Sequence, residues 1–324
     1  MIFYITVLRA MASILITNAH YNNIYPLEII ANGGLLGDVI FFAVSGFCLY
    51  NIRLNFGKWF GKRILRIYPA VWIITIIYLM LGLYNFNDMN IIQYFIYPTY
   101  YHFIASIVIL YIFYYIIIKN EKLKEKIPLI MFIIFIIQLV IYIFFYDKTY
   151  YHIDTVREPM IRFLFMQAML LGAIFRQKND KYININKKLN WVILFLCIII
   201  YFGSKLIFSK KIIVEYQLLN QIILFITLYW FFRCFSGINI KLEKLPTKIK
   251  KIINFLAEIT LEIYVVQYPL IPLFAKLPFP INWILVTTTI LLSAYILHII
   301  SKFFIRIIEG RINGENTYNR SIKN

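Results

Sequence analysis

Ten long apolar runs restrict the fold of this chain more than any other feature. They cover roughly residues 3–22, 34–52, 67–85, 101–119, 127–146, 160–176, 189–207, 216–235, 252–274 and 281–305. About 20 such residues cross the hydrocarbon core of a bilayer as a helix. Inside hydrocarbon a chain must also satisfy its own backbone hydrogen bonds, which a helix does. The sequence therefore predicts an all-α fold: a polytopic membrane helical bundle of about ten transmembrane helices. Of the 324 residues, 61% are hydrophobic, and the mean hydropathy is +0.74. A soluble domain is nearer half apolar. The runs leave no stretch long enough for a separate soluble module, so residues 1–312 read as one integral-membrane domain and 313–324 as a short cytoplasmic tail. The first run lacks a basic leader and continues into a second, so it reads as a span and not as a signal peptide.

The net charge of +18 invites a nucleic-acid reading, but the placement of the charge argues against one. With the N-terminus inside, the cytoplasmic segments 53–66, 119–126, 176–188 and 233–251 and the C-terminal end carry 25 Lys and Arg, against 6 in the outer loops. That is the positive-inside bias. It predicts a cytoplasmic N-terminus and makes the lipid bilayer, with its anionic headgroups, the partner of the charge. No nucleic acid is expected. The three cysteines, Cys48, Cys197 and Cys234, lie in or beside apolar runs without metal-ligand spacing, so no metal is expected. The 26 Tyr and 29 Phe read first as compositional bias. Two outer loops, 86–100 and 147–159, read either as an interfacial aromatic belt or as a polar, sugar-compatible rim.

Ionisable residues within spans are functional candidates. Arg9 and His20 are 11 residues apart in the first run. At about 100° per residue that is three turns plus about 20°, so one helix face would carry both, about 16 Å apart. Arg9 is then a fixed cation toward the cytoplasm or an interfacial anchor. His20 is an acid/base group toward the outside or a structural histidine. Asp38, in "GGLLGDVIFFAVSGF", lies near the depth of His20. It reads equally as a carboxylate orienting the imidazole or as a helix cap beside Gly37. Ser45-Gly46 marks a close helix approach. Lys62, Arg63 and Arg66 cluster at the inner entrance of the third span, with Arg63 and Arg66 on one face. They suit either phosphate binding or topological anchoring. Glu258 and Glu262 are spaced i,i+4 on the ninth span, on a face that reads as a relay or acceptor site, or else as the lining of a water-filled cavity or an interhelical pairing surface that takes in Arg162. His102 is placed at the rim of the outer cavity, and His298 reads as structural.

The Arg-x10-His arrangement of Arg9 and His20, "GDVIFFAVSGF" and "KRILRIYP" together resemble the acyltransferase 3 family of membrane acyltransferases. Looser similarity runs on through "YHFIASIVILYIFYY", "IRFLFMQAMLLGAIF", "FLAEITLEIYVVQYPLI" and "FFIRIIEGRI". This chain departs from the family pattern in two places. Gln267 stands where many members have His, and Gly310-Arg311 stands where Lys-Pro is usual.

The resemblance implies transfer of an acyl group, often acetyl, from cytoplasmic acetyl-CoA or another acyl-CoA to a hydroxyl of an envelope glycan or lipid-linked sugar. It implies a bacterial cytoplasmic (inner) membrane location. It casts His20 as general base, or as the residue that carries the acyl group, with Asp38 orienting its ring. Arg9, Lys62, Arg63 and Arg66 would hold the donor's phosphates. Glu262, Gln267, His102 and Arg162 fall to the acceptor. The alternative is an exporter of polysaccharide or lipid-linked sugar. Such a protein would more often show paired halves with broken helices at matching places, and no such pairing is visible.

Overall fold

The computed structural model describes residues 2–156 and 159–321, with side chains through Gly310. It is helical throughout, with no strand among the described residues. The main helices are α1 (Phe3–Asn18), α2 (Gly34–Leu49), α3 (Phe56–Met80), α4 (His102–Lys119), α5 (Ile127–Phe145), α6 (Ile161–Gln177), α7 (Lys188–Ser209), α8 (Leu218–Gly237), α9 (Thr247–Glu258), α10 (Thr260–Phe274) and α11 (Ile281–Ser321). Each of the ten apolar runs holds a helix, but seven segments among the described residues are long and apolar enough to cross a membrane. The shortfall has local causes. α1 ends at Asn18, ahead of a turn. α6 has only 17 residues and starts just after Pro159. The ninth run breaks at Ile259 into α9 and α10. At the C-terminus α11 continues to Ser321, while 322–324 lie outside the described residues.

The chain divides into two compact units. The first comprises 1–19, 32–53 and 102–257. Its core is α6, in which 12 of 17 residues are buried. Packing of α2 on α6 is backbone against backbone. A Cβ on Gly46 would lie 2.0 Å from the Met169 carbonyl oxygen, and one on Gly172 would lie 1.8 Å from that of Ala43. The close approach expected of Gly46 is therefore present, against the Met169 backbone, and Gly172 makes a second one against Ala43, as small residues permit between membrane helices. Phe42 and Phe165 stack across the same contact at 4.2 Å. An amide ladder crosses three helices. Gln167 Nε2 donates to Gln138 Oε1 (3.0 Å), Gln138 Nε2 to Gln221 Oε1 (2.7 Å), and Gln221 Nε2 to the Ile153 carbonyl (2.8 Å).

Basic connections of this unit gather at one end. There Tyr4 N–H donates to Asn239 Oδ1 (3.0 Å), and Arg176 lies over Phe47 (5.3 Å) and Lys124 over Tyr50 (4.7 Å). The opposite end carries the loop from Asp147. Lys205 pairs with Asp154 at 2.8 Å, and Gln217 Oε1 accepts from the His152 and Ile153 N–H groups. His152 is stacked between Tyr146 and Tyr150, at 4.5 and 4.1 Å. The placement of these connections follows the charge asymmetry of the sequence.

The second unit comprises 20–31, 54–101 and 258–324, with α3, α10 and α11 packed together. Asn55 caps α3 by accepting from Lys58 N–H (3.2 Å). Asn90 and Gln93 form a reciprocal capping box, each side chain accepting from the other's backbone N–H, at 2.9 and 3.0 Å. That box opens a π-helical turn, Ile92–Ile96, whose last carbonyls are bonded from α3. Trp72 donates to the Phe95 carbonyl and Tyr68 to that of Ile96, both at 2.7 Å. Segment 20–31 is pinned to the start of α11 by Tyr21 with Thr287 (3.1 Å) and by Asn282 donating to the Ile24 carbonyl (2.8 Å).

Candidate functional site

Arg9 and Asp38 belong to the first unit. Arg9 is half-buried on α1, where its Nη2 donates to Cys48 Sγ at 3.5 Å, near the last turn of α2. Asp38 is not a helix cap. Gly33 holds the N-cap position of α2 with φ +97°, a conformation suited to glycine, and Asn32 Oδ1 accepts from the Gly33 N–H (2.8 Å). Asp38 lies a full turn inside the helix and is 5% exposed. Its carboxylate has no hydrogen-bond or ion-pair partner among the described residues. It lies within electrostatic range of the Tyr201 hydroxyl, which is itself buried without a hydrogen bond. Burying a carboxylate with nothing bonded to it is costly, which sets Asp38 apart from the ordinary polar residues of this unit. Arg162, at the start of α6, donates from Nε to Ser106 Oγ (3.4 Å). His102 is the first residue of α4 and is half-buried.

His20 belongs to the second unit. Because α1 ends at Asn18, the orientation of His20 is set by the turn that follows and not by helical register, so the common face calculated for Arg9 and His20 does not form as one helix. His20 keeps an exposed surface, although the protein around it desolvates the ring and lowers its pKa, and the ring meets Tyr268 edge-on at 6.3 Å. Tyr268 in turn meets Tyr100 at 6.0 Å. Behind Tyr100 stands a tyrosine cluster, with Tyr84 at 4.4 Å, Tyr101 at 5.5 Å and Tyr94 at 5.8 Å. Tyr84 and Tyr101 join hydroxyls at 2.9 Å. Burial and the neighbouring phenols of Tyr268 and Tyr94 push the Tyr100 hydroxyl up to about 12, so it stays neutral at working pH. Composition concealed this cluster, since 26 tyrosines made each one unremarkable. The usable signal was positional: Tyr264 and Tyr268 are spaced i,i+4, and four tyrosines lie within 94–101.

Lys62, Arg63 and Arg66 lie in the first turns of α3. Lys62 and Arg66 are exposed, and Arg63 is half-buried with its guanidinium over Trp59 at 6.0 Å. On α10, Glu262 is 6% exposed and Gln267 1%. The partner of Glu262 is His298 on α11, whose Nδ1 lies 2.7 Å from Glu262 Oε1. Glu258 joins the same group, 3.5 Å from His298 Nε2 and bonded to Lys302. The two glutamates therefore converge on one imidazole although the helix between them breaks at Ile259. The Gln267 Oε1 is buried with no hydrogen bond among the described residues.

A histidine with an exposed surface beside an aromatic wall, with a separate basic cluster at a helix start, suits proton transfer to or from a substrate hydroxyl together with an anionic co-substrate. A family model described as an acyltransferase domain, that of acyltransferase 3, matches residues 2–302. The chain belongs to the acyltransferase 3 family. No curated protein and no solved structure matches it. As an acyltransferase 3 member whose apolar helices are long enough to span a bilayer, the protein is a multi-pass membrane acyltransferase.

Proposed function

We propose that the protein is an O-acyltransferase of the bacterial inner membrane. It moves an acyl group, acetyl in the first instance, from cytoplasmic acyl-CoA to a hydroxyl of an envelope glycan or lipid-linked sugar. The observation that carries this reading is the His20 imidazole against Tyr268 in a member of an acyltransferase family. His20 accepts the proton of the acceptor hydroxyl as the hydroxyl oxygen bonds to the thioester carbonyl carbon. The carbon–sulfur bond then breaks, and the proton passes to the departing thiolate. The products are an ester and free CoA. General-base catalysis of this kind contributes about 10²–10⁴ in rate. Asp38 is the second catalytic candidate, and Arg9, Lys62, Arg63 and Arg66 are the candidates for the phosphates of the donor. Glu262, Gln267, His102 and Arg162 are candidates on the acceptor side. The pairing of Glu262 with His298 makes that residue the most tied to structure of the four.

The test is a comparison of envelope glycans from cells with and without the protein by mass spectrometry. The expected result is a mass difference of one acyl group on a sugar residue. Glycan that changes its side of the membrane with no mass difference would instead identify an exporter. Initial rates with both substrates varied separate the routes. Direct transfer gives intersecting reciprocal plots, and an acyl-His20 route gives the parallel lines of ping-pong kinetics.

A further inference from the structure

The tyrosine cluster beside α3 and α10 ends in an exposed ring, that of Tyr268. Most of its phenols have a hydrogen-bond partner within the unit. Tyr78 donates to the Val266 carbonyl (2.7 Å), Tyr94 to that of Asn85 (3.0 Å), and Tyr84 and Tyr101 bond each other. Tyr268 differs: it is 54% exposed, and its hydroxyl has no partner among the described residues. Its ring stands nearly perpendicular to both Tyr100 and His20, with centroids at 6.0 and 6.3 Å.

The surroundings combine exposed apolar side chains, Phe86, Ile91 and Ile92, with exposed polar ones. Segment 85–93 adjoins the cluster through the Tyr94–Asn85 bond and the Phe86–Tyr94 ring contact at 6.0 Å. It presents Asn85, Asn87, Asp88 and Asn90 as exposed side chains. The oxygens of Asn85, Asn90 and Gln93 are taken by backbone N–H groups, but their amide nitrogens have no partner among the described residues. A wall of aromatic faces edged by unused amide donors and a carboxylate matches a ligand with apolar C–H faces and a rim of hydroxyls, which is the chemistry of a sugar ring.

We propose that Tyr268, backed by Tyr100, is the stacking platform for a pyranose ring of the acceptor and presents one of its hydroxyls to His20. This inference rests on the transfer reaction proposed above and assigns the acceptor to residues outside the earlier candidates. The ring of Tyr268 supplies the face, and its free hydroxyl, with the amides of 85–93, bonds the sugar's rim.

The experiment uses full-length protein in nanodiscs with methyl glycosides of glucose, galactose and N-acetylglucosamine as probes. Saturation-transfer NMR reads ring-proton contact, and acyl transfer from acetyl-CoA to the same glycosides reads kinetics. Wild type and Tyr268→Phe should both transfer saturation to the sugar ring protons. Tyr268→Ala should lose it and raise the glycoside KM by about tenfold or more, with a smaller change in kcat. A melting temperature held near that of wild type shows that the variant is folded. If it falls, Tyr100→Phe and Tyr268→Trp replace it, and both should keep binding. Saturation unaffected by Tyr268→Ala, or absent in the wild type for all three glycosides, overturns the platform. Binding through Tyr268 without any acyl transfer defeats the reaction and leaves the platform standing. Transfer that is indifferent to Tyr268 defeats the platform alone.

Discussion

Single residues in this protein divide by whether their polar atoms are bonded. Buried Glu262 and half-buried His298 are bonded to each other, so each fixes the other. His298→Ala leaves the Glu262 carboxylate with neither oxygen bonded, since Oε2 already lacks a partner. The expected cost is about 1–3 kcal/mol, read as a fall in melting temperature in detergent. Adding Glu262→Leu to His298→Ala should recover part of that loss, because removing both partners is milder than stranding one. The basic residues behave differently. Arg66 is exposed at the start of α3, so Arg66→Ala should leave stability unchanged. If it holds a donor phosphate, its removal raises the acyl-CoA KM by about 10-fold or more, as loss of a charged hydrogen bond does. An unaltered KM would return Arg66 to the role of topological anchor.

At the scale of elements, the decisive contact is that of α2 with α6. The glycines at 46 and 172 let the two backbones touch, and either Cβ would meet a carbonyl well inside van der Waals distance. Gly172→Leu should therefore abolish stable accumulation in membranes, whereas Gly203→Leu, where a Cβ meets nothing, should be tolerated. Immunoblots of the membrane fraction decide this. Much at this scale was legible in the sequence. Most apolar runs place their helices within a few residues, although α3 begins at Phe56 rather than 67 and α11 continues to Ser321 rather than 305, and Ser45-Gly46 announces a close contact. What the sequence did not reveal were features decided by tertiary partners. The helix break at Ile259 is flanked by Glu258 and Thr260, polar positions that helical spacing alone reads as one continuous face. The end of α1 at Asn18 precedes "AHYN", whose polar residues fall within the first apolar run because Arg9 and His20 fit helical spacing. His298 reads as a structural histidine, and it lies bonded to Glu262. Its partner was invisible because Glu262 lies 36 residues away.

For the whole molecule, the sequence carries the orientation more directly than the fold does. In the first unit the basic connections share the end where the N-terminal helix starts, which the positive-inside rule assigns to the cytoplasm. With the three native cysteines replaced by serine, Lys210→Cys should react with an impermeant maleimide on intact cells. Lys244→Cys should react only after permeabilisation, and the reverse pattern would invert the topology. The central claim is that His20 performs proton transfer in an acyl-CoA-dependent acylation of a glycan. The most direct measurement supplies radiolabelled acetyl-CoA to membranes carrying wild type or His20→Ala at equal protein level and counts label in the glycan. The account predicts label with wild type and a loss of at least about 100-fold with His20→Ala. Full labelling by His20→Ala would contradict it.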